Sequence, residues 1–118
     1  MSKLQQIDLD GAPRAMGRAF GEHFRDGVRE FTEMRISRLI EFVTRFDPQR
    51  GLTREAALAV AERCIPAHRD FAPAVFAEFA GIAEGAGLTE AELLIGNGLT
   101  DLRDLVLFEN ESLRGRCK

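Results

Sequence analysis

The chain has 118 residues, 45% of them hydrophobic and 30% charged, which suits one small domain with an apolar core and excludes a disordered tail. A formal net charge of −3 argues against a nucleic-acid-binding domain, which carries a basic face. No apolar run approaches the ~20 residues of a membrane-spanning helix. All the basic residues except Lys3 and Lys118 are arginines, which a GC-rich coding sequence explains as well as a site does. The start, Met1-Ser2-Lys3, is polar, and two cysteines, Cys64 and Cys117, make no disulfide framework. The expectation is a soluble, cytoplasmic protein.

Residues 4–9 alternate imperfectly between Leu4, Ile7 and Leu9, which predicts a short strand, and Pro13 after Asp10-Gly11-Ala12 opens a helix. That helix is expected to run from about 13 to 46. Its inward stripe is Met16, Phe20, Phe24, Val28 and Phe31, then Ile36, Leu39, Ile40, Val43 and Phe46. Asp47-Pro48 with Gly51 ends it. Thr53 caps a second helix through about 69, with Pro66 expected to kink or split it. A third helix, about 72–84, opens at Pro73, faces Val75, Phe76, Phe79 and Ile82 inward, and stops at Gly85-Ala86-Gly87. The fourth, about 90–108, has the best-specified start. Thr89 and Glu92 fit the N-cap and N3 positions of a capping box, and Leu88 and Leu93 fit the hydrophobic staple. Residues 109–118 lose periodicity and read as an exposed tail. One strand beside four helices leaves both strand edges unpaired, so sheet partners are expected on another piece of chain or another copy.

The residues with chemical potential are few. Gly17-x-x-x-Gly21 lets another backbone approach closely, either a packed sheet or a ligand. His23 adjoins the apolar stripe and reads as a structural histidine, or else as a general base or ligand. Cys64 and His68 stand one helical turn apart, a spacing for two metal ligands or a thiolate–imidazole pair, but no second cluster completes a zinc site, and a buried core cysteine is the simpler reading. Gly85-Ala86-Gly87 follows a helix, where a phosphate loop would follow a strand. Asp101, Asp104, Glu109 and Glu111, interleaved with Arg103 and Arg114, read as a solvated face. Cys117, between Arg116 and Lys118, has cationic neighbours that favour the thiolate. No metal or cofactor is expected.

Two stretches together resemble one family. The first is Gly11-x-Pro13-x-x-x-Gly17-x-x-x-Gly21; the second, and more specific, is Gly81-Ile82-Ala83-x-Gly85-Ala86-Gly87-Leu88-x-x-x-Glu92-Leu93, followed by Asn97. Both are similar to the N-terminal segment of the acyl-coenzyme A:6-aminopenicillanic acid acyltransferase (isopenicillin-N acyltransferase-like) family of N-terminal-nucleophile hydrolases, across about residues 4–101. The resemblance implies a precursor that cleaves itself before a cysteine. Its helical α chain and single strand would then join an α+β αββα sandwich completed by a β chain, and this chain would end where such an α chain ends. It implies an amidohydrolase or acyltransferase acting on a small-molecule amide or acyl substrate through an acyl-enzyme. The family commonly reads Leu-Asn-x-Arg-x-Glu after the Glu-Leu-Leu stretch. Here Leu99 stands at the Arg position and Asp101 at the acidic one. Cys117 departs from the family's Gly-Cys-Thr or Gly-Cys-Ser, so the nucleophile is expected just beyond Lys118, with Cys117 the second candidate. The rival readings are a non-enzymatic helical domain that homodimerises through its strand, and a small redox or regulatory protein using Cys117.

Overall fold

The computed structural model describes residues 4–107, which form five helices: α1 (Pro13–His23), α2 (Arg25–Phe46), α3 (Arg54–Phe71), α4 (Pro73–Ala86) and α5 (Glu90–Leu107). There is no strand among the described residues. Leu4–Asp10 is irregular and Leu4 is fully exposed, so the expected strand, and with it the αββα sandwich, is not what this chain builds. The alternation of Leu4, Ile7 and Leu9 has no hydrogen-bonded partner strand beside it among the described residues, and a single strand does not hold its extended form alone.

The helix expected over 13–46 is two helices broken at Phe24, whose φ of −105° and ψ of 26° leave the helical region. No Gly or Pro marks the break. Phe24 stacks instead against Phe20 at 4.8 Å and edge-on against His23 at 4.6 Å. The break re-phases the stripe that follows it. The buried positions of α2 are Thr32, Ile36, Leu39 and Val43, while Phe31 and Phe46 are 51% and 62% exposed.

Local signals place the other ends. Thr53 Oγ1 accepts from the Ala56 amide at 3.1 Å and caps α3. α3 continues through Pro66, contrary to expectation. Pro66 and Glu62, whose carbonyl would take the missing amide bond, are both exposed, so the lost bond falls on the solvent side of the helix. The adjacent Cys64 and Ile65 hold the helix by packing in the core. Gly87 takes the left-handed conformation (φ 72°, ψ 34°) that ends α4, and the Leu88 amide returns to the Ala83 carbonyl at 2.8 Å. The capping box forms as expected: Glu92 donates its amide to Thr89 Oγ1 at 3.1 Å, and Thr89 donates its amide to Glu92 Oε1 at 2.8 Å.

Two layers result. α5 packs on α2 and α3 around Ile36, Leu39, Val43, Ala61, Ile95 and Val106, each at most 1% exposed. α1 packs almost wholly on α4. Gly17 and Gly21 lie against the backbone of Glu78, Ile82 and Ala86, and Gly81 and Gly85 lie against the backbone of Arg14, Arg18 and Glu22. Both helices advance together in this register, so they run parallel with glycine facing backbone from either side. The expectation of helix on sheet is therefore corrected to helix on helix. Arg14 and Glu84 close the exposed edge of the pair at 2.7 Å.

Candidate functional site

α5 bends at Gly98, where φ −115° and ψ 34° interrupt the helix. Glycine on both sides of Asn97 makes the bend possible, and Arg35 secures it from α2 by donating Nε to the Gly96 carbonyl at 3.1 Å. Gly96 is buried directly over Thr32, and a β-carbon there would stand 2.9 Å from Thr32 Oγ1. Three grooves meet this bend, and Asn97 is exposed in the wall of two of them.

One groove, of about 340 Å³, lies between the α1–α4 pair and the other layer, and it is faced by Phe20, Phe24, Phe31, Ile82 and Leu93. Much of the apolar stripe expected to be core thus lines an open groove. A second, of about 470 Å³, lies between α3, α4 and α5. Its rim carries Phe71, 90% exposed, and Val75, 68% exposed, with Phe76 and Leu94 below and His68 and Asp101 among its few polar groups. Val75 was expected inward and faces solvent instead. The third lies between α2 and the part of α5 beyond the bend and is rimmed by arginine.

Cys64 and His68, considered together from their spacing, are divided by the packing. Cys64 is 4% exposed in the core and in no disulfide, while His68 is exposed at the second groove. His23 is exposed and held by its ring contact with Phe24. Leu99 lines the third groove, and Asp101 and Asp104 are exposed. Glu109, Glu111, Arg114 and Cys117 lie outside the described residues. Among the described residues no group of three or more His, Cys, Asp or Glu could hold a metal ion, and no helix is long and apolar enough to cross a membrane.

Sequence reasoning missed the arginines that tie the elements together. Arg25 donates to the Gly85 carbonyl at 3.2 Å, and Arg29 to those of Ala86 and Gly87 at 3.1 and 2.7 Å, so two cations close the carbonyl end of α4. Arg54 bridges Glu33 of α2 at 2.6 Å and Glu92 of α5 at 3.0 Å. The hydrogen bonds and charge of Glu33 and Glu92 raise the Arg54 pKa against the opposing effect of burial. Burial alone would raise the Glu92 carboxyl, but the Thr89 hydrogen bonds and Arg54 outweigh it and hold the pKa below the ordinary glutamate value. The only sequence signal for this network was the capping box at its α5 end.

The sign of the pH effect follows from that lowering. The interactions of Glu92 contribute fully above its unfolded pKa, near 4.3, and are lost as the pH falls through the lower folded value. Glu92→Gln should destabilise the protein at pH 7 and flatten the loss of stability between about pH 5 and 3. Thr89→Ala should cost about 1 kcal/mol at pH 7. Urea midpoints across this range check both, and parallel wild-type and Glu92→Gln profiles would contradict the assignment.

No family model, curated protein or solved structure matches the chain at a significant level.

Proposed function

We propose that this chain is the α subunit of a self-processed cysteine amidohydrolase or acyltransferase, working with a β chain from the same precursor on amide or thioester acyl groups. The observation that carries the reading is that the two stretches resembling the family pack on each other. Gly17 and Gly21 belong to the first, Gly81 and Gly85 to the second, and all four lie in the α1–α4 contact. The glycine spacings that define the resemblance therefore have a physical task in this chain. The open groove at Phe71 and Val75, next to Asn97, supplies an apolar surface for the second chain to cover.

In this reading the N-terminal cysteine of the β chain is the nucleophile. Its α-amino group, with an ordinary pKa near 8, takes the thiol proton at neutral pH more readily than a lysine near 10.4. The thiolate adds to the acyl carbon, hydrogen-bond donors hold the oxyanion, and the C–N or C–S bond breaks as the proton passes to the leaving amine or thiol. Water or an amine then takes the acyl group. Cys64 cannot serve as this nucleophile, because it is enclosed in the core of α3. The homodimer reading loses support, since the strand through which it would pair is missing among the described residues.

The test replaces the cysteine that begins the proposed β chain by alanine in the full precursor. The expected result is one uncleaved polypeptide without amide or thioester turnover. Normal cleavage and turnover in that variant would overturn the proposal.

A further inference from the structure

The third groove, of about 360 Å³, lies between α2 and the part of α5 beyond the bend. Its apolar side is Met34, Phe42 and Leu99, of which Met34 and Phe42 are each 43% exposed. Around them stand Arg35, Arg38, Arg45 and Arg103, with Glu41 the single acidic residue in the lining. Four guanidinium groups against Glu41 in the lining and Asp104 beside Arg103 leave a local excess of two positive charges on a chain whose net charge is −3. Net charge concealed this patch.

Most of the donors there are uncommitted. Arg45 meets Glu41 at 3.6 Å on the exposed surface, and half-buried Arg103 donates Nε and one terminal nitrogen to Asp104 Oδ1 at 3.4 Å, which leaves its other terminal nitrogen uncommitted. Arg35 uses Nε on the Gly96 carbonyl, and its guanidinium lies 5.4 Å from the Phe31 ring. The Arg103 guanidinium lies 4.9 Å from the Phe42 ring. These ring contacts restrain two guanidinium groups in advance, which lowers the ordering cost of a hydrogen bond to an oxyanion. Arg38 makes no hydrogen bond or ion pair among the described residues. Thr100 adds a hydroxyl to the same wall.

We propose that this groove binds a small organic anion, a carboxylate or phosphate monoester carried on an apolar chain. Arg38 and Arg103 take the oxyanion, and Met34, Phe42 and Leu99 cover the apolar body. The volume is within the range of small-molecule sites, about 300–1,000 Å³, and the groove is too local for the ~800 Å² per partner of a standard protein interface. The inference stands apart from the proposed acyl chemistry, which places no group here.

Calorimetric titration of the protein as purified, with any co-purifying chain retained, is done with decanoate, decyl phosphate and decanol. At least one of the two anions should bind tenfold or more tightly than decanol, and weaken as salt is raised from about 50 to 500 mM. The stronger of the two identifies the headgroup. The Arg38→Gln/Arg103→Gln double variant should lose at least tenfold for the anion and leave decanol unchanged. Arg38→Gln alone is the folding-safe variant, since its side chain holds nothing in the fold, and it should lose at least threefold. Anions that bind no better than decanol, or that bind the arginine variants as well as the wild type, would overturn the proposal. So would capture of an acidic helical peptide with no response to either small anion.

Discussion

Gly81→Val is expected to destabilise the protein by about 3 kcal/mol, at the upper end of the usual cost of overpacking, and to lower Tm by roughly 10–15 °C. A β-carbon at Gly81 would collide with the Arg14 carbonyl and crowd the Arg18 amide. These are backbone atoms of a helix, so no side-chain rotation relieves the clash, and α1 must move away from α4. Because α1 has little contact with the rest of the protein, its release is the cheapest response. Amide exchange over 13–23 should therefore accelerate far more than over 54–71. Gly27→Ala is the control. Gly27 lies in α2 with nothing within 4 Å of an added β-carbon, so alanine should raise stability by about 0.5–1 kcal/mol through helix propensity. Thermal unfolding of the two variants checks both. Equal destabilisation would mean that glycine is needed for some reason other than the α1–α4 contact.

Phe71→Ser with Val75→Ser is expected to separate association from folding. With 90% and 68% of their surfaces exposed, the two side chains contribute little to the fold of this chain, and their loss should change its stability by about 0.5 kcal/mol or less. If the β chain covers the groove, the same residues are its aromatic and aliphatic anchors. Two anchors of about 2 kcal/mol each give a loss of a hundredfold or more in association. The paired readout is urea unfolding of this chain by itself against the dissociation constant of the complex, because unfolding of the complex would shift with association. Unchanged association would place the partner's contact elsewhere.

What could be read in advance was local chemistry. The Thr53 cap, the Thr89–Glu92 box, the Pro13 and Pro73 starts and the Gly87 stop each depend on a few neighbouring residues, and each occurs where the sequence predicted it. What could not be read depends on residues far apart in the chain. Nothing near Gly17 says that its partner is the backbone of Glu78 and Ile82. The arginine links from Arg25, Arg29 and Arg35 end on carbonyls 57–61 residues away, and carbonyls leave no trace in a residue pattern. The break at Phe24 turned a continuous stripe into two phases, so a three–four spacing that suits either phase placed Phe31 in the core when Thr32 holds that position. Asn97 was noticed through resemblance, but its place between two grooves required the bend at Gly98.

The central claim is that this chain is one part of a two-chain enzyme, and intact mass measured under native and then denaturing conditions on protein made from its full reading frame tests it most directly. The expected result is a native complex that separates into a smaller species containing the five helices α1–α5 and a larger one whose first residue is cysteine. A single uncleaved, well-folded polypeptide with no second chain would contradict it.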